Sequence, residues 1–337
     1  MTTAPGPLAG TGDGTKPGAP SGPARPARSA RPGKGARRAR PVGGLLGGLM
    51  AAPPLLVVAL FVGIPIVSGV LYTLGHFGGL NSTVAVLGLH QHRADHWWGT
   101  FGAYHEVLTN RAFQQSLRTT VEVALLSVAL VFTLALSVAL YARLAANRTA
   151  RAMTALAVTP LFLPAVIGSY AILEFYAGDG FVRTVAHTFG WDSAPRLSYT
   201  IWAVVIGQVW TNLPFAVLMM TSGLAAVPDA LIEAARDSGA RLHHIVRHIL
   251  LPMASGPAVI VASFTTISVL GSFTVPYLTG PSAPNMLGVQ LTNTFQAYNR
   301  PQQSLVMAVV IFALASMIGL VYIRSNVRQA RHSAAAR

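Results

Sequence analysis

Residues 233–252 read EAARDSGARLHHIVRHILLP, with five charged residues and three histidines in a stretch of twenty. The chain around them is 52% hydrophobic and only 10% charged, whereas a soluble domain carries roughly 25% charged residues. The charges are also unevenly spread, leaving long windows with none. A soluble core does not need such windows; a bilayer does. A polar, basic insert between two membrane-grade apolar runs therefore needs a reason of its own.

Its local pattern is that of two short helices. Pro228 suits a first helical position and Asp229 favours the positive end of a helix. Leu231, Ala234, Ala235 and Ser238 follow at i, i+3, i+4 and i+7, a stripe of mostly small side chains that lets another surface approach the backbone. Gly239 is placed to end the helix, because glycine accepts the left-handed conformation cheaply. In the next helix Leu242, Ile245, Val246 and Ile249 form an apolar face, and Arg241, His244, Arg247 and His248 a basic one. Pro252 starts or kinks the span that follows. His244 and His248 have a zinc-like i, i+4 spacing, but no third ligand is near and the HExxH glutamate is missing. A basic face over lipid headgroups explains them better. By periodicity alone, an ordinary amphipathic surface loop fits the insert as well as a dedicated docking element does.

Six apolar segments approach or exceed the roughly 20 residues that a bilayer core requires. They are Leu45–Leu74, Leu117–Leu144, Ala152–Tyr176, Tyr199–Val227, Ile249 to about Thr279, and Ser304–Tyr322. The expected fold class is all-α, a polytopic membrane protein with six transmembrane helices. With both termini inside, the tail holds eight basic residues and the three remaining inner pieces three (Arg143, Arg148, Arg151), three (Arg236, Arg241, Arg247) and four (Arg324, Arg328, Arg331, Arg337). That places 18 of the 24 Lys and Arg inside, so the positive-inside rule sets an N-in/C-in orientation. Trp97, Trp98 and Trp191 then fall in outer loops, where indole rings suit the headgroup layer.

Residues 1–42 are mostly Gly, Pro, Ala and Arg with almost no large apolar side chain. They are expected to be a disordered basic tail that holds the N-terminus inside. The tail lacks aromatic residues and a folded module, so no specific nucleic-acid partner is implied. The chain has no cysteine, which excludes disulfides and thiolate metal sites. The first outer loop contains His76, His90, His92, His96 and His105. Such spacing is compatible with metal ligation, but solvated loop histidines are the better reading, and no metal or cofactor is expected in this chain.

The polar side chains inside the spans are candidates for a solute path. Glu122 and Glu174 favour a cation, because an acid within a span faces a cavity or a partner. The competing reading pairs Glu122 with Arg118 and lets Glu174 reach the interface. Gln208, Asn212, Ser272 and Thr274 are neutral path candidates or hydrogen-bond partners between helices.

The insert also carries a family pattern. Glu233-Ala234-Ala235, three residues, Gly239, nine residues, then Ile249, Leu251 and Pro252 resembles the EAA motif of the membrane subunits of binding-protein-dependent ABC importers, with every fixed position met. The likeness runs from about Leu45 to Arg328. It implies a type I ABC importer permease fold, with a transmembrane domain over 43–328, a coupling segment at 228–248 and a cytoplasmic C-terminal tail at 329–337. It also implies a transport subunit and not an enzyme, in the bacterial cell membrane. Glu233 would meet a cytoplasmic ABC ATPase dimer, which binds ATP and Mg, and Ala234 and Ala235 would allow close packing. This chain has no phosphate-binding loop of its own. An extracellular solute-binding protein and a second permease subunit are the other expected partners, a heterodimer being expected over a homodimer. The run 269–295, with Gly271, Phe273, Pro276, Leu278, Gly280, Met286, Leu287 and Gly288, resembles the subgroup that carries polyamines and related small charged solutes. Carbohydrate permeases are the alternative within the family. An ATP-independent channel or secondary carrier is the alternative from another class.

Overall fold

Proline decides where these helices bend. The computed structural model describes residues 45–335 apart from 146, 192 and 194, so the tail expected over 1–42 lies outside the described residues. Pro65 and Pro252 each follow a widened helical turn, Ala59–Gly63 and Val246–Leu250, in which Ile64 donates to Ala59 O and Leu251 to Val246 O. Proline lacks an N–H and its ring clashes with the carbonyl four residues back; an i→i−5 turn beforehand relieves that crowding. At Pro164 the third span breaks outright: the helical segments Arg148–Phe162 and Ala165–Phe175 meet at 111°. The residue before a proline avoids the helical region, and Leu163 is extended.

Among the described residues, four helices are long and apolar enough to cross a membrane, Gly48–Thr73, Arg111–Ala145, Ile201–Ala225 and Pro301–Arg324. With each of two bent pairs, the one at Pro164 and Leu242–Met253 with Ser255–Leu270, counted as one broken span, the number is six. The fold is all-α; the described residues contain no strand. The fifth span differs from the sequence expectation. It ends at Leu270, and Thr274–Thr279 is a separate short helix after a break at Gly271–Phe273. The last helix continues through Ala335, into the stretch expected to be a tail.

The chain divides into two units, one through Leu56 and one from Val57 onward. In the second unit the second and fourth spans form the centre. Val131, Ala135, Ala139, Ala216, Val217, Met220 and Leu224 make one buried cluster between them, joined by Val261 of the fifth span. A second cluster joins Val123, Val204, Val205, Val269 and Val275. The alanines let the helix backbones approach closely, which drives packing in lipid, where the apolar surroundings offer no hydrophobic gain. Gly223 serves the same end: a Cβ there would meet Pro257 at 2.2 Å, which seats the start of the fifth span against the end of the fourth.

The end opposite the insert is closed by polar contacts. Gln302, fully buried, donates to the carbonyls of Tyr72, Thr73 and His92 and accepts from the His92 N–H at 2.7 Å. It thereby pins the last span to the end of the first. Thr73 Oγ1 donates to Val70 O, so Tyr104 is the donor in the 2.8 Å contact between the two hydroxyls. Glu106 receives Gln303 Nε2 and His92 Nε2, both at 3.0 Å, and faces Arg300 at 3.7 Å. Burial would raise the Glu106 carboxyl, but the hydrogen bonds from Gln303 and His92 and the charges of His92 and Arg300 hold it below its ordinary value of 4.5.

A depressed carboxylate stabilises the fold above its unfolded value, and that contribution is lost as pH falls through the folded one. Purified protein should therefore hold its thermal midpoint from neutral pH down to about 4.5 and lose stability below it. Glu106→Gln should lower the neutral-pH midpoint by about 2–4 °C and flatten the acid limb. Melting curves across pH for both proteins check this.

Candidate functional site

The insert forms the helix pair its sequence suggests. Asp229–Asp237 is helical, with Pro228 at the N-cap and not inside the helix as expected. The helix stops in a Schellman turn: Gly239 has φ +80°, its N–H bonds Arg236 O at 2.9 Å, and the Ala240 N–H bonds Ala235 O at 2.9 Å. Nothing lies within 4 Å of where a Gly239 Cβ would stand, so backbone conformation alone demands the glycine. Ile232 and Val227 are buried against the bundle. On the outward side Leu231, Glu233, Ala234 and Ser238 are exposed and Ala235 is half-buried. This is a mostly small-residue face beside an exposed acid.

The second helix runs Leu242–Met253 through the widened turn. Its buried side chains are Ile245 and Leu250, with Val246 and Ile249 half-buried. Leu242, expected on the apolar face, is 55% exposed. The widened turn shifts the register by one residue, which brings Leu250 inward beyond the predicted stripe. Arg241, His244, Arg247 and His248 are exposed as expected; His244 and His248 stack at 4.3 Å, and His248 Nδ1 lies 3.1 Å from the His244 carbonyl. At Ala254 the chain turns by 64° into the fifth span. Ile249, Leu251 and Pro252 thus lie in the last turn before this elbow.

The candidate path residues fall into two groups. Gln208 and Asn212, 1% and 5% exposed, lie inside the bundle. Gln208 Nε2 donates to Ser272 Oγ at 2.7 Å, and Asn212 Nδ2 donates to Gln208 O at 2.8 Å. Ser272 sits in the break after the fifth span, and Thr274 opens the short helix beyond it; both are half-buried. The two acids stand apart from this group. Glu122 accepts Arg118 Nε at 2.7 Å, the surface i, i+4 pair, and Glu174 is exposed.

Two further polar residues join the inner group by register. Ser127 lies four residues from both Val123 and Val131, and Thr265 four from both Val261 and Val269. Gln208 and Asn212 occupy the matching turns of the fourth span. The two apolar clusters therefore enclose a buried polar layer, in which Ser127 Oγ and Thr265 Oγ1 have no hydrogen-bond partner. Sequence reading missed both because single hydroxyls in an apolar helix are common; their shared i±4 neighbours were the available signal. In the histidine loop, His92 bonds Glu106 and His96 stacks on Trp98. No group of three or more His, Cys, Asp or Glu among the described residues is arranged to hold a metal.

Comparison with known proteins agrees with this architecture. Residues 99–331 match the family model described as "Binding-protein-dependent transport system inner membrane component". The chain is 30% identical over 230 residues to the trehalose transport system permease protein SugA of Mycobacterium tuberculosis, covering 66% of this chain and 73% of that one. It is 27% identical over 290 residues to the trehalose/maltose transport system permease protein MalF of Thermococcus litoralis, covering 83% and 92%. Over 173 residues it is 29% identical to the spermidine/putrescine transport system permease protein PotB of Haemophilus influenzae, covering 51% and 60%. Among solved structures, a chain of a bacterial ABC transporter that imports the acidic polysaccharide alginate superposes with a TM-score of 0.68 at 15% identity, covering 84% of this chain and 95% of that one. With the EAA spacing seated on an exposed helix and a proline elbow, and the family model spanning most of the chain, this protein belongs to the binding-protein-dependent ABC importer permeases, multi-pass membrane subunits that transport and do not catalyse.

Proposed function

We propose that this chain forms one half of the translocation path of an ATP-driven importer in a bacterial cell membrane. In this reading a cytoplasmic ATPase dimer, which binds ATP and Mg, docks on the Asp229–Asp237 helix. A second, different permease subunit completes the path, and an extracellular binding protein delivers the solute. The observation that carries the proposal is the exposed Leu231–Ala234–Ser238 face beside Glu233, cut off by the Gly239 turn and continued through the Pro252 elbow into the fifth span. A surface helix so joined transmits a push directly into a membrane helix. The N-in/C-in orientation places it on the cytoplasmic side, next to the exposed Arg241 and Arg247, where a basic face meets anionic lipid.

For the solute, the neutral character of the interior favours a saccharide. The buried polar side chains of the spans are Gln, Asn, Ser and Thr, groups that exchange hydrogen bonds with hydroxyls. Glu122, one of the two acids that favoured a cation, is engaged with Arg118. The SugA and MalF relatives agree in kind. The second reading, a polyamine-like or other small charged solute, keeps two supports: the 269–295 run and the likeness to PotB.

Two outcomes test these readings in proteoliposomes holding the full complex. Gly239→Val places a β-branched residue at positive φ, a conformation that costs an L-residue about 1–2 kcal/mol. The variant should insert normally yet lose uptake by about tenfold or more, and Gly239→Asn should retain most of it. Wild-type uptake by Gly239→Val would reject the docking role. For the solute, ATP-dependent uptake of a labelled α-linked disaccharide is expected, with none of spermidine; the reverse result establishes the polyamine-like reading, and uptake without ATP a channel or secondary carrier.

A further inference from the structure

Arg143, in the last turn of the second span, makes contacts that no ordinary surface arginine makes. Its side chain is 18% exposed. Its Nε donates to Leu224 O at 3.1 Å, and its Nη2 donates to Val227 O at 2.8 Å and to the Asp229 carboxylate. Leu224 lies in the last turn of the fourth span, where its carbonyl accepts the Val227 N–H at 3.3 Å and keeps a second lone pair for Arg143. Asp229 is the first residue of the Asp229–Asp237 helix. One guanidinium therefore ties together the end of the second span, the end of the fourth and the start of the exposed helix.

The need for such a tie follows from the connection. Only residues 226–228 separate the fourth span from the Asp229–Asp237 helix, and residues 238–241 join its far end to the next helix; these short joints keep the helix at the bundle without fixing its angle to the spans. The apolar footing of Val227 and Ile232 resists withdrawal but sets no direction. Arg143 supplies the direction, because its planar fork offers several donors at fixed angles. Its charge also sits where it is favoured, between the negative end of one helix and the acid at the head of another. A lysine, as a single point charge, does not reproduce that fork.

We propose that Arg143 is a positioning residue for energy coupling: it fixes the angle of the Asp229–Asp237 helix to the second and fourth spans, so that a displacement of that helix moves both spans together. The proposal rests on the docking role given above.

The test uses the complete complex with loaded binding protein, comparing wild type with Arg143→Lys and Asp229→Ala. Asp229→Ala leaves both carbonyl bonds of Arg143 in place and cuts only its link to the exposed helix. Both variants should still co-purify with the ATPase, while solute moved per ATP hydrolysed falls about tenfold. A lowered thermal midpoint with an unchanged transport ratio would reduce Arg143 to a structural role and overturn the proposal. Loss of the ATPase from the Asp229→Ala complex would also overturn it, by making Asp229 itself a contact. If Arg143→Lys is not recovered from the membrane, an unchanged ratio in Asp229→Ala is enough to reject it. Should Gly239→Val uncouple transport while these two variants do not, only the Arg143 proposal falls; should Gly239→Val transport normally, the docking role falls with it.

Discussion

The left-handed backbone at Gly239 is the constraint on which the rest depends. A helix that continued past Ser238 would carry the chain away from the bundle. The Schellman turn instead reverses it within three residues, through the bonds from Gly239 to Arg236 and from Ala240 to Ala235. The first helix is left with its small side chains outward, and the second packs Ile245 and Leu250 back on the bundle before the chain bends at Ala254 into the fifth span. Each device has its own cause: no Cβ at 239, no N–H at 252, and a widened turn to accommodate the proline ring.

Stiffness is distributed to match. The second and fourth spans share a core of alanine, valine and leucine close enough for backbone contact, and the fifth joins it at Val261 and, through Gly223, at Pro257. At the opposite end Gln302 ties the last span to the end of the first, and Glu106 ties the last span to His92 of the outer loop. Between the two apolar clusters lies the layer of Gln208, Asn212, Ser127 and Thr265. Polar groups in a dry bundle fix the register of their helices when satisfied, and two of these hydroxyls are not. Under the proposed docking role, motion entering at the insert would meet helices that are packed by apolar clusters on either side of a polar layer.

Much of this was legible in the sequence because bilayer physics writes long signals. Apolar runs near twenty residues, arginines biased to one side, and a glycine and proline at fixed spacing in an otherwise charged stretch are local or additive features, and they gave the six spans and the insert. The missed features depend on tertiary placement. Leu250 turned inward because the turn before Pro252 widens, a shift that no 3.6-residue period contains, while Leu242 at the first position of its helix stays exposed. The fifth span ended early, at Leu270, and Ser272 in the break receives Gln208 from the fourth span. Arg143 counted only as one positive charge near a membrane edge, since its three acceptors lie more than eighty residues away. Glu122 showed the opposite case: its partner sits four residues back, and the local rule found it.

The central claim is that force from an ATPase enters through the exposed face of the Asp229–Asp237 helix. The chain has no cysteine, so Ala234→Cys introduces a single thiol on that face. The account predicts that a bifunctional reagent joins this thiol to the ATPase subunit, with a yield that changes when ATP binds. Labelling of the thiol by an impermeant reagent from outside the cell, with no cross-link to the ATPase, would contradict it.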